Sequence, residues 1–275
     1  MRTRAGLRLA ERALARLVTE LGEHATGVTV IGGLNADLLT EADEVPHQGT
    51  LDVDLHIQVG LVYERDDDDF GWLEDALVRA QFAPVDGTGW RWVTRVDELP
   101  VVLDLLCDVL DNRDQEIPLP GCEQAGAMNL PGPSAAAADA IVRTLQLDTV
   151  AVAVRFADLG GYLLAKASAA FHRGKDKDFY DLGFVLLHNT QGGPVAAGRA
   201  AARAVPARDH VGYVGLFRAA LTQLADATVA RTYAEQRRRD GDSTDVEVLT
   251  QDAIGAALAC LAAFETEEAR KAQRG

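Results

Sequence analysis

The chain has 275 residues, of which 48% are hydrophobic, and a formal net charge of -15. This is enough apolar material for a real core in one large domain or two small ones, which excludes an intrinsically disordered chain. The acidity opposes tight, nonspecific binding to nucleic acid, which relies on lysine and arginine to displace phosphate counterions, although it leaves room for a local basic groove.

Segment 1–23 interrupts its apolar residues with Arg2, Arg4, Arg8, Arg12 and Arg16, unlike the unbroken core of a secretory leader. No run is expected to span a membrane. Cys107, Cys122 and Cys260 are widely scattered, which argues against a disulfide framework or a paired-cysteine zinc site. These features predict a reduced, cytoplasmic protein with buried thiols and no membrane association.

In chain order, Leu7, Ala10, Leu14, Leu17 and Leu21 form one apolar stripe at helical spacing. A strand is predicted over 28–31, followed by Gly32 and Gly33 and a short helix. Leu51, Val53, Leu55 and Ile57 alternate with Asp52, Asp54 and His56, the period of a strand with one buried face. The acidic run 66–69 reads as a solvated turn. A helix over 70–81 precedes strands over 90–95 and 101–107. Prolines and glycines over 117–133 mark a linker. Beyond it the chain is alanine-rich and helical, apart from a short apolar run over 150–154 that suits a strand. The predicted class is α+β: a small mixed β-sheet core with flanking helices over 1–133, then a mainly helical C-terminal domain over 134–275.

Four elements carry chemistry. Gly32 and Gly33 follow a strand and precede a helix, where backbone N–H groups can approach a phosphate. Asp52 and Asp54 sit two apart on one strand face, costly for like charges unless a proton or a cation neutralises them, and magnesium suits such oxygen donors. Asp104 interrupts an apolar strand and needs a partner. If its strand lies beside that of Asp52 and Asp54, three carboxylates assemble a two-metal site. Asp108, four residues on, competes with Asp104 for the third place. Finally, Lys166 and Arg173 share one helix face, as do Asp178 and Asp181 on the next helix. That pattern serves either an anion site or an ion-paired helix pair.

Of the remaining signals, Trp90 and Trp92 alternate with Arg91 and Arg95 and read best as an edge strand packed on a helix. The histidines show no metal-ligand spacing. Arg237, Arg238 and Arg239 suggest a solvated helix end.

In their order along the chain, Gly32-Gly33, Thr50-Leu51-Asp52-Val53-Asp54-Leu55, Lys166 to Arg173, and Lys177-Asp178-Phe179-Tyr180-Asp181-Leu182 resemble the AbiEii/AbiGii-type toxin nucleotidyltransferases. The resemblance covers roughly residues 28–190. It implies a polymerase-β-like nucleotidyltransferase core joined to a helical domain, acting as the toxin of a toxin-antitoxin pair and restrained by a cognate antitoxin protein. It further implies that Gly32, Gly33 and Thr50 contact a nucleoside triphosphate and that Asp52 and Asp54 hold Mg2+. Lys166 and Asp178 would complete the active site, with Arg173 near the nucleotide. Segment 41–46 is an acidic insertion relative to that pattern, and Gln48 stands where an arginine is common. The expected acceptor is transfer RNA at its 3′ end, with Arg91, Arg95, Arg173, Lys175 and Lys177 as candidate groove cations. Two rivals stand beside it: transfer to a protein or small molecule, and an inactive nucleotide- or partner-binding module.

Overall fold

A computed structural model describes residues 4–42, 45–47, 49–62, 65, 68–147 and 150–273. Among them the chain is α+β, with a mixed nine-stranded sheet and a helical C-terminal region. It divides into two compact units, residues 1–35 with 49–157, and residues 36–48 with 158–275.

The first unit begins with α1 (Arg4–Leu21) and β1 (Val28–Val30), followed by the start of α2 (Gly33–Leu39), β2 (Asp52–Ile57) and α3 (Gly71–Arg79). Then come β3 (Ala83–Pro84), β4 (Arg91–Val96), β5 (Leu99–Cys107), β6 (Glu116–Pro118), β7 (Gly126–Asn129), α4 (Pro133–Ala138), β8 (Ala140–Leu147) and β9 (Val150–Ala157). The main strand order is β3-β4-β5-β2-β1-β9-β8, and β7 pairs with both β5 and β6.

The predicted stripe of α1 is realised: Leu7, Ala10, Leu14, Leu17 and Leu21 are all buried. α1 packs on β2, β4 and β5, and Arg16 Nη2 donates to Thr94 Oγ1 at 2.5 Å. It therefore covers the sheet face that carries Trp92, Thr94, Val53, Leu55, Leu103 and Leu105, all buried. Because strand side chains alternate, Asp52, Asp54, Asp104 and Arg91 point to the opposite face.

Two expectations change here. Segment 117–133 is not a linker: it contributes to β6, forms β7 and enters α4. Pro118 is tolerated because β6 is an edge strand that pairs only with β7, so its missing N–H breaks no inner ladder. The run over 150–154 extends into β9, which joins β1 in parallel at Val30↔Phe156 and pairs with β8 along its whole length. That hairpin places the end of the first unit at Ala157 rather than at 133.

The second unit contains α5 (Leu159–Arg173), α6 (Asp176–His188), α7 (Gly193–Ala204), α8 (His210–Leu224), α9 (Ala227–Arg239) and α10 (Val246–Ala272). Asp158 caps α5 by accepting from Leu159 N, and Gly174 ends it in the left-handed region at φ +57. The alanine-rich helices cross closely. A Cβ on Gly198 of α7 would lie 2.2 Å from the Cys260 carbonyl of α10. By length and composition α10 is apolar enough to cross a membrane, contrary to the expectation from sequence. Its Ala253, Ala256, Ala257, Cys260 and Phe264 are buried, and it packs on α7 and α9.

Residues 36–48 belong to this second unit. Glu41 N donates to the His188 carbonyl at 3.0 Å, and Thr190 N to the Leu39 carbonyl at 3.0 Å. Arg237 Nη1 donates to the Val45 carbonyl at 2.7 Å. Arg237 is thus buried rather than a solvated helix end, paired with Asp242 Oδ2 at 2.7 Å and set over the Phe184 ring. Tertiary packing selects one arginine of the three, while Arg238 and Arg239 keep to the surface of α9. Of the predicted acidic insertion, residues 43 and 44 lie outside the described residues, as does Gln48.

Candidate active site

In the first unit the site is built on three adjacent strands. β2 and β5 run parallel with Asp54 level with Asp104, and β4 runs antiparallel to β5 with Arg91 level with Asp104. Asp54, Asp104 and Arg91 therefore form one row across the sheet, with Asp52 two residues further along the same face. The strand juxtaposition anticipated from sequence is present.

The glycine pair is brought directly onto this row. Ile31 N donates to the Asp54 carbonyl at 2.8 Å, which aligns the end of β1 with β2. Gly32 has φ +100, and a Cβ there would lie 1.9 Å from Asp54 Oδ2. Glycine is required on both counts. A Cβ on Gly33 would lie 2.9 Å from Thr50 Cβ. Thr50 is buried, and its Oγ1 accepts from Asp52 N at 3.0 Å, so the hydroxyl organises the turn into β2.

The electrostatics of the row are unbalanced. Asp52 is exposed and Asp54 half-buried. Asp104 is held by Arg91 through two bonds, Nε to Oδ1 at 2.7 Å and Nη2 to Oδ2 at 2.6 Å. This is the bidentate geometry that guanidinium offers a carboxylate. Those hydrogen bonds raise the Arg91 pKa, and the charges of Asp104, Asp52 and Asp54 raise it further against the opposing effect of burial. Arg91 also lies 4.5 Å over the Trp90 ring. β4 lies between β3 and β5 rather than at the expected edge, and Trp92 is fully buried and donates to the Gly89 carbonyl at 2.8 Å. At the buried end of β2, desolvation lowers the pKa of His56 to about 4.

Asp108, the rival third carboxylate, faces other partners. It takes Arg113 Nη1 at 2.8 Å, Gly132 N at 2.9 Å and Ser134 Oγ at 2.7 Å, which ties the start of α4 to the end of β5. Of the acidic turn, Asp68 accepts from Gly60 N and Asp69 from Gly71 N, while Asp66 and Asp67 lie outside the described residues.

The donors suit magnesium in kind, being carboxylate oxygens on one sheet face. In their present rotamers they do not converge: among the described residues no group of three His, Cys, Asp or Glu side chains is arranged to hold a metal ion. Arg91 occupies the carboxylate that would complete the set.

In the second unit Lys166, Asp178 and Asp181 are all buried. Lys166 Nζ lies 3.0 Å from Asp181 Oδ2 and 3.5 Å from Asp178 Oδ1, and Arg173 Nη2 reaches Asp178 Oδ1 at 2.8 Å. Burial alone would lower the Lys166 pKa, but Asp181, Tyr162 and Asp178 outweigh it and the net shift is upward. The two helix faces seen in sequence do meet, as an ion-paired helix pair. His47 was not singled out by sequence reasoning, yet its Nε2 lies 3.0 Å from Asp181 Oδ1 and its ring packs edge-on to Phe184. No local pattern around His47 signals this, because its partner is distant in the chain. Of the other candidate groove cations, Arg95 donates to the Glu98 carbonyl, and Lys175 precedes α6 as its cap residue.

Fold and site together define a mixed-sheet α+β protein with an acidic row beside a glycine turn. Comparison with family models, with curated proteins and with solved structures returned no match.

Proposed function

We propose that the chain is a metal-dependent nucleotidyltransferase, moving a nucleoside monophosphate from a nucleoside triphosphate to an acceptor hydroxyl. The observation that carries the reading is the contact of the Gly32–Gly33 turn with Thr50 and Asp54, on the row where Asp54 is level with Asp104. A phosphate-approachable turn and a cluster of carboxylates at one spot suit a triphosphate with its cation.

Asp52, Asp54 and Asp104 would hold Mg2+, which when bound would neutralise triphosphate charge and lower the pKa of the acceptor hydroxyl. The chain's own work is positioning: the turn at Gly32 and Gly33 brings the triphosphate beside Asp54, and β2 and β5 fix the carboxylates on a rigid sheet. The acceptor oxygen bonds to the α-phosphorus, the bond from that phosphorus to the bridging oxygen breaks, and pyrophosphate leaves. The hydroxyl proton passes to solvent. Lys166, Asp178 and Arg173 form an ion-paired cluster within the second unit.

The resemblance to toxin nucleotidyltransferases makes transfer RNA the proposed acceptor and a cognate antitoxin the proposed protein partner. Incubation of the chain with radiolabelled triphosphates, magnesium and total RNA tests this. Label should enter the small-RNA fraction and vanish with Asp54→Asn. Label in protein or a small molecule would replace the acceptor, and equal labelling by wild type and Asp54→Asn would overturn the assignment. A second reading, an inactive binding module, is favoured by the pairing of Asp104 with Arg91; triphosphate binding without transfer would select it.

A further inference from the structure

We propose that β8 is a dimerisation edge, joining the sheets of two copies of this chain by antiparallel pairing of β8 with itself about a two-fold axis at Thr144. Such pairing is independent of the chemistry of the carboxylate row.

The strand order of the sheet ends at β3, β6 and β8. An edge strand presents backbone N–H and C=O groups that another strand can pair, and proteins blunt such edges with shortness and proline. β3 is two residues long and ends on Pro84, and β6 is three residues long and ends on Pro118. β8 differs on both counts: it has eight residues, Ala140–Leu147, without proline or glycine. Among the described residues it pairs only with β9. One face of that hairpin is closed, with Leu145, Val152 and Val154 buried and α1 in contact with both strands. Val142, Arg143, Thr144 and Gln146 are exposed, Val142 to 66%.

Charge identifies the occupant. The chain carries 42 acidic residues, yet the two strands of this hairpin contain none, and their charged residues are Arg143 and Arg155. Arg155 is engaged, donating to the Thr26 and Ala137 carbonyls. Two strongly acidic copies therefore meet here with little repulsion. A strand is its own complement when antiparallel, so a two-fold axis closes the pair and leaves neither β8 edge open. Residues opposite each other across such a pair share a sheet face, which restricts the longest overlaps to two registers. Centring on Arg143 sets like charges directly opposite. Centring on Thr144 sets threonine against threonine, Val142 against Gln146 and Arg143 against Leu145.

Sedimentation equilibrium of the full chain is the test. The mass should rise from 29.4 kDa toward twice that value between about 1 and 100 μM, and salt should strengthen association by screening the net charge of -15. Thr144→Lys sets two ammonium groups opposite each other and should weaken the dimer about tenfold. Val211→Lys, at a position 83% exposed on α8, changes the net charge equally and should not weaken association. Thr144→Cys should cross-link two copies under mild oxidation, with wild type as the blank for the native cysteines. Gln146→Cys should not, since its counterpart lies about 13 Å away across the axis, beyond disulfide reach. Circular dichroism melts confirm that each variant is folded. A monomer throughout the concentration range overturns the proposal and leaves β8 to a strand of another protein. A dimer indifferent to Thr144→Lys and not cross-linked by Thr144→Cys overturns it by placing the interface elsewhere.

Discussion

Asp52, Asp54 and Asp104 line one face of the sheet in the first unit, with Arg91 bonded to Asp104. In the second unit, Asp178 and Asp181 are sealed among helices with Lys166, Arg173 and His47. The first arrangement sets three carboxylates on one sheet face beside one arginine, and the second sets two carboxylates among two cations and a histidine. Like charges gathered at a surface invite a counter-ion from solution, whereas a sealed cluster must neutralise itself, since a lone buried charge is prohibitive. The contrast separates a partly exposed acidic row from a buried, ion-paired cluster, although sequence presents both as acidic residues near a basic one.

The comparison can be broken most forcefully in the second unit. Asp181→Ala removes the partner of both Lys166 and His47 and should cost about 3–5 kcal/mol, measured by urea unfolding. A loss below about 1 kcal/mol would show that the cluster is not what holds these helices together. Replacing the pair together, Lys166→Met with Asp181→Leu, should recover most of the loss, because no buried charge is then left unpartnered.

Gly32→Ala tests the first unit at its tightest contact. Strain at φ +100 and the approach to Asp54 should cost about 1–3 kcal/mol in thermal unfolding and reduce nucleotidyl transfer toward that of Asp54→Asn. Gly22→Ala is the control. It has φ +56 with nothing within 4 Å, so it should lose some stability and retain activity. Equal activity in the two variants would separate the glycine turn from the chemistry.

Asp54→Asn sharpens the contrast at smaller magnitude. Relieving like charge should leave stability within about 0.5 kcal/mol of wild type or raise it, the reverse of Asp181→Ala. A large loss on denaturant unfolding would mark Asp54 as structural.

Stability also depends on pH through His188, whose pKa burial lowers from 6.5 to about 4, with Arg237 adding to the shift. The unfolded chain takes up this proton near pH 6.5 and the folded chain only near 4, so unfolding binds protons in that window. Stability is retained above about pH 6.5 and declines as pH falls toward 4, by on the order of 1 kcal/mol once partial exposure is discounted. Wild type and His188→Gln should diverge between pH 7 and 5, and parallel curves would remove His188 as the cause.

Much of the fold was legible because its signals are local. A spacing of three and four residues identified the buried stripe of α1, and alternation identified β2, with Asp52 and Asp54 turned away from the apolar face. The glycine pair and the two aspartates were visible as motifs for the same reason. Pairing partners were not legible. Periodicity says which face a side chain takes, but not which strand lies beside it, so the alignment of Arg91 with Asp104 and Asp54 arises only when β4, β5 and β2 assemble. Composition likewise marked 117–133 as a linker, although an edge position lets Pro118 end a strand. Arg237 became a donor to the Val45 carbonyl, and His47 a partner of Asp181, through contacts spanning long stretches of chain. The sequence by itself determined the elements, their buried faces and the residue types available for chemistry. Tertiary structure decided which charges meet, because long-range pairing sets each group's neighbours and solvent exposure.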